Sequence, residues 1–182
     1  MKGSRLSWLL LPAAALVLDW ASKAWIQAAI PLYESRPVIP GFFNLTMSYN
    51  PGAIFGAMSG APPAVRTVVF GLAGVAALGY FGWEFLKPAA GTLQRCALGL
   101  ILGGALGNGL DRARHGSVVD FLDFVFWGWH YWTFNLADSF IVCGAILLGL
   151  SFLCSLRRPA QEAYREFRQP RVRASANGWN CN

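Results

Sequence analysis

The chain has 182 residues, room for one ordinary domain, and 55% of them are hydrophobic while only 13% are charged. A soluble domain carries about 25% charged residues, so this composition excludes most soluble classes and points to membrane spans. The net charge of +6 is not a nucleic-acid footprint: residues 157–182 hold six arginines against Glu162 and Glu166, and no nucleic-acid-binding motif accompanies them.

The first apolar run, residues 6–30, follows Lys2 and Arg5 and exceeds the 7 to 15 residues of a secretory signal core, so it reads as a span and not a cleaved leader. A second run, 67–86, starts after Pro62-Pro63 and ends at Lys87-Pro88. The third is 93–110 and the fourth 134–156, each long enough to cross a hydrocarbon core of ~30 Å. Four spans put both termini on one side. Lys2, Arg5, Lys87, Arg95, Arg157 and Arg158 flank that side, which marks it as cytoplasmic. Residues 31–66 and 112–133 then form outer segments, and 157–182 a basic, flexible cytoplasmic tail behind a membrane domain of residues 1–156. The stretch Val38 to Tyr49 mixes β-formers with turn residues, which predicts a short sheet at the membrane surface. Trp127, Trp129, Tyr131 and Trp132 form either an aromatic belt at headgroup level or a substrate-contacting surface.

Ionisable residues inside a membrane need a partner or a role. Asp19 and Lys23 lie one helical turn apart, as a packing ion pair or as part of a site. Gly99, Gly103 and Gly107 form a small-residue stripe for close helix approach. Asn108, Asp111 and Arg112 share a face at the outer end of the third span. Asn135 and Asp138 share a face where the fourth begins, and Asn135 fits a helix N-cap. Asp120 precedes Asp138 by 18 residues, enough chain to fold back and bring two carboxyl groups together. Two carboxylates in one site hold a single proton between them, the requirement for aspartic-type peptide hydrolysis. Asp123 falls on the opposite face of an extended segment and has an ordinary surface reading. No zinc-ligand or disulfide spacing is present: His115 and His130 stand apart, and the four cysteines lie in apolar runs or near the C-terminus. Neither a metal nor another cofactor is expected.

Five motifs occur in order: Asp19-x-x-Ser22-Lys23, Asn50-Pro51-Gly52-Ala53-Ile54-Phe55, Gly104-Ala105-Leu106-Gly107-Asn108-x-x-Asp111-Arg112, Val119-Asp120-Phe121, and Phe134-Asn135-x-Ala137-Asp138. Together they resemble the lipoprotein signal peptidases (signal peptidase II), aspartic proteases of the bacterial inner membrane. The resemblance implies an all-α membrane enzyme of four transmembrane helices, with a small periplasmic β-cradle and a loop that closes over the site. It implies Asp120 and Asp138 as the catalytic dyad. Asp19, Lys23, Asn50, Gly52, Asn108, Asp111, Arg112, Asn135 and Ala137 would bind substrate or brace the site. The substrates it implies are diacylglyceryl-modified prolipoproteins, cut just before the lipidated cysteine. It also implies contact with membrane lipid, globomycin-type inhibitors and a monomer. Ser22 for the usual threonine, Pro51, Ile54 and Gly56 depart from the family pattern, and the last three bear on specificity. Two alternatives follow: a paralogue with a narrowed client range, and a non-enzymatic membrane protein whose buried charges are structural.

Overall fold

The computed structural model describes residues 5–52, 60–87 and 90–168. Ala53 to Gly56 of the loop motif and the tail beyond Arg168 lie outside them. After a turn of 3-10 helix at Arg5–Leu9 come α1 (Leu10–Ala29), β1 (Ser35–Ile39), β2 (Phe43–Asn50), α2 (Pro63–Leu86), α3 (Thr92–His115), β3 (Val118–Phe126), β4 (Trp129–His130) and α4 (Leu136–Arg168). One unit runs to Leu148; a second, from Gly149, continues α4. α4 thus extends through Arg168, into the first part of the basic segment 157–182.

Polarity along these helices is inverted relative to a soluble bundle. On α1, Leu10, Val17, Leu18, Trp20 and Trp25 are exposed, whereas Asp19 and Lys23 are 1% and 3% exposed. Val68, Leu72, Val75 and Trp83 of α2 likewise face outward. Such a surface is stable in hydrocarbon and costly in water. Among the described residues, three helical segments are long and apolar enough to cross a membrane: Ser7–Ala29, Ala64–Leu86 and Leu136–Leu156. The segment expected as the third span is helical, α3, 24 residues or roughly 36 Å long. Its polar residues keep it outside that group. Ala97, Leu98, Gly103, Gly104, Gly107, Asn108 and Asp111 of α3 are all buried, so protein shields them.

The small residues of α3 make this packing possible. A Cβ on Gly103 would stand 2.6 Å from the Cβ of Ala15 and 2.7 Å from the carbonyl oxygen of Pro12 on α1. One on Gly104 would strike the carbonyl oxygen of Ala137, and one on Gly107 the carboxylate of Asp19. Gly144 on α4 meets Ala97 and Ile101 in the same way, at 2.7 Å. Gly104→Ala and Gly144→Ala are each expected to destabilise the fold by about 1–3 kcal/mol through overpacking against backbone. Thermal unfolding in detergent measures this; unchanged melting temperatures would refute the close approach.

The two expected outer segments pair with each other. The strands form one antiparallel sheet in the order β1-β2-β3-β4, with Ser48 opposite Asp120 and Asn50 opposite Val118. Helices joined to a small antiparallel sheet agree with the expected helical membrane fold carrying a short sheet. Ile26 of α1 and Ile30, just past its end, pack with Met47, Val119 and Phe121 of the sheet as a buried apolar cluster. Gly116, in the left-handed region at φ 68°, ends α3 and donates its N–H to the Arg112 carbonyl at 2.9 Å. The chain therefore turns from α3 directly into β3.

Candidate active site

The return of the chain after β4 brings Asp120 and Asp138 together. Past the hairpin, the strand-like segment runs back along β3: Tyr131 N–H donates to Phe124 O at 2.7 Å, and Phe134 N–H to Leu122 O at 3.1 Å. Asn135 follows and opens α4 as its N-cap. Its Oδ1 accepts from Asp138 N–H at 3.0 Å, and Asp138 Oδ2 accepts from Asn135 N–H at 3.3 Å. This is a reciprocal capping box with aspartate in place of glutamate.

The same buried Asn135 reaches the other carboxylate, its Nδ2 donating to Asp120 Oδ1 at 2.7 Å. It also donates to Asn108 Oδ1 at 3.1 Å, while Asn108 Nδ2 donates to Asp138 Oδ1 at 2.8 Å. Two side-chain amides thereby bridge the two carboxylates. From β2, Asn50 Nδ2 donates to Asp120 Oδ2 at 2.9 Å, and Asn50 Oδ1 accepts from Gly52 N–H at 3.0 Å. Pro51 has no N–H to offer, so this turn passes over it.

Behind Asn108 lies a buried ion cluster. Lys23 Nζ stands 2.7 Å from Asp19 Oδ2 and 2.9 Å from Asp111 Oδ2, and donates to Asn108 Oδ1 at 3.0 Å. Each carboxylate also anchors backbone. Asp19 Oδ1 accepts from Ala137 N–H at 2.9 Å in the first turn of α4, where a helix end leaves amides unpaired. Asp111 Oδ2 accepts from Val119 N–H at 3.2 Å, beside Asp120.

Asp120 itself is 1% exposed. Burial pushes its carboxyl up to about 7 from an ordinary 3.8, and the nearby Asp138 charge adds to the shift. The hydrogen bonds from Asn50 and Asn135 and the charge of Lys23 oppose it.

These groups border a cavity of about 650 Å³. Of the expected site residues, Asn50, Gly52, Asn108, Arg112, Asp120 and Asp138 line it. Arg112 donates from Nη2 to Gly52 O at 3.3 Å and lies over the ring of Phe70. Asn135, Ala137, Asp19, Lys23 and Asp111 stand behind the wall and do not line it. Val118, Tyr131, Trp132, Phe134 and Val142 make much of the remainder apolar. Sequence reading missed Ser48, whose Oγ donates to Asp120 O at 3.2 Å. Alternation from Asn50 along β2 was the available signal, since residues two apart share a face.

Asp123 requires correction. It is 3% exposed, not a surface residue, and accepts from Asn44 Nδ2 at 3.0 Å while facing His130 Nδ1 at 2.9 Å. It does fall outside the cavity lining, as alternation along β3 predicts.

A family model described as Signal peptidase (SPase) II matches residues 11–154. The lipoprotein signal peptidase of Chromobacterium violaceum is 39% identical over 155 residues, covering 85% of this chain and 93% of that protein. That of Yersinia pseudotuberculosis is 44% identical over 143 residues, covering 79% and 84%. A bacterial membrane enzyme solved in meso at 2.3 Å resolution is similar at a TM-score of 0.72 and 27% identity, covering 93% of this chain and 94% of its own. A second, solved at 1.9 Å, is similar at 0.70 and 32% identity, covering 81% and 92%.

Proposed function

The chain belongs to the signal peptidase II family of aspartic proteases, bacterial membrane proteins that remove signal peptides from prolipoproteins, and we propose that it does so with Asp120 and Asp138 as a one-proton dyad. The bridging of both carboxylates by Asn108 and Asn135 at one cavity supports this reading most directly. Asp120, the more buried, holds the proton. Asp138 takes a proton from water as the water oxygen adds to the scissile carbonyl carbon, and Asp120 protonates the carbonyl oxygen. The tetrahedral diol then collapses. Asp138 passes its proton to the leaving nitrogen, the C–N bond breaks, and Asp120 recovers a proton from the diol.

The apolar part of the cavity suits a substrate whose cysteine carries diacylglycerol, and cleavage falls just before that cysteine. Asn50, Gly52 and Arg112 orient the peptide; Asp19, Lys23, Asp111, Asn135 and Ala137 brace the wall. Four helices cross the inner membrane, α3 packed against α1, α2 and α4, with the cavity toward the periplasmic face. The lysines and arginines flanking the opposite ends support that orientation. The chain acts as a monomer, and globomycin-type inhibitors compete for the cavity. Incubation in detergent with lipidated and unlipidated lipobox peptides tests the reading. Cleavage of the lipidated form alone is expected; equal cleavage of both, or of neither, overturns it.

The elevated Asp120 carboxyl sets a pH dependence. Its acid form is needed and is lost as pH rises through about 7, so kcat/KM should fall on the alkaline side of that value. The Asn50 hydrogen bond favours the charged form of Asp120. Asn50→Ala therefore moves the alkaline limb to higher pH. A limb that stays put or moves down would contradict Asp120 as the acid.

A further inference from the structure

The β3–β4 connection is a two-residue loop, Trp127-Gly128, closed by the Phe126 to Trp129 pair. Both loop residues have positive φ, 50° at Trp127 and 82° at Gly128, the pattern of a type I′ turn. Glycine adopts that conformation freely, and asparagine or aspartate is the usual first residue; a tryptophan there is strained. Intramolecular packing does not compensate, because Trp127 is 99% exposed. A large indole held out on strained backbone points to a contact outside the chain.

The surroundings identify the kind of contact. Residues 124–134 include three tryptophans and a tyrosine and no Lys, Arg, Asp or Glu. Amphipathic rings without charge match the headgroup level of a bilayer better than a protein interface with its polar rim. The sheet carrying the hairpin also meets span ends, packing on Ile30 just past α1 and leading through Phe134 into α4. Rings connect the hairpin to the cavity: Trp129 meets Tyr131 edge-on at 6.1 Å, and Tyr131 meets Phe134 at 6.1 Å. Tyr131 and Phe134 both line the cavity.

We propose that the Trp127 hairpin is a lipid anchor, its indole seated at headgroup level in the bilayer the chain spans, and that the ring series thereby holds one wall of the cavity against the membrane surface. This rests on the membrane reading and not on the peptidase assignment. The test uses the full chain labelled with 5-fluorotryptophan in nanodiscs of phosphatidylethanolamine and phosphatidylglycerol. Among the resonances of the eight tryptophans, the one missing in Trp127→Asn identifies the position. It should be broadened by a lipid nitroxide near the headgroup and protected from a soluble gadolinium chelate. Broadening by the chelate and not by the lipid nitroxide overturns the proposal, whatever the enzyme cleaves.

Trp127→Asn installs Asn-Gly, the favoured type I′ pair, so melting temperature in detergent should hold or rise. KM for a lipidated substrate should increase roughly three- to tenfold in nanodiscs and stay unchanged in micelles, with kcat intact in both. An equal change in both media would mean a role in the fold and not an anchor. Trp127→Phe, which keeps an apolar ring, should restore most of the loss.

Discussion

Asp138→Asn and Asp120→Asn are each expected to lower turnover of a lipidated peptide by about 10³-fold or more, with the protein still inserted and folded. The loss follows from the chemistry: an amide at position 138 cannot take a proton from water, and one at 120 cannot donate an acid proton to the carbonyl oxygen. Folding should survive because the amide has nearly the same shape and keeps one of the two oxygen acceptors, at the cost of one hydrogen bond from the existing donors. At 138 these are Asn108 Nδ2 and the Asn135 amide; at 120 they are Asn50 and Asn135. Two groups acting as one unit give non-additive losses, so the double variant should be no slower than the worse single. The measurements are turnover in detergent and melting temperature on the same preparations. Retention of a tenth of the turnover in either single variant would remove that residue from the dyad.

Lys23→Met should be the most destabilising single change among the bracing residues, costing about 3–5 kcal/mol. It leaves Asp19 and Asp111 buried without the cation that stands within 2.9 Å of both. Asn108 Oδ1 also loses its charged donor, and with it one of the contacts that fix the Asp138 side of the dyad. The cost lies in the stranded carboxylates more than in the lost pairing. Adding Asp19→Asn and Asp111→Asn should therefore recover a large part of the stability, since asparagine can still accept from Ala137 N–H and Val119 N–H. Activity should return less fully, because Asn108 remains looser. Thermal unfolding and accumulation in the membrane check the first statement. A triple variant no more stable than Lys23→Met alone would refute it.

Much of the architecture is legible because hydropathy is a local property. Each helix has to present apolar side chains to its surroundings along its own length, so α1, α2 and α4 are visible as runs of suitable length. The glycine spacing of α3 and the amide and charged residues at its end are likewise helical-face patterns, readable from a 3.6-residue period. Asn135 as a cap and Asp123 opposite Asp120 follow from equally short-range geometry.

One reading failed because burial depends on partners from other elements. Asp123 was given a surface role because an acidic residue in a connecting segment usually faces water. Its burial arises from Asn44 on β2 and His130 on β4, partners 79 and 7 residues away.

By itself, then, the sequence determined the helices and their polar faces, and singled out the acidic residues expected to share a proton. Only the tertiary structure decided which of them meet. Strand pairing sets Ser48 against Asp120, the return along β3 delivers Asn135 to the start of α4, and Asn108 arrives from α3. Proximity between residues far apart in the chain is fixed by register and helix packing, which local periodicity does not encode.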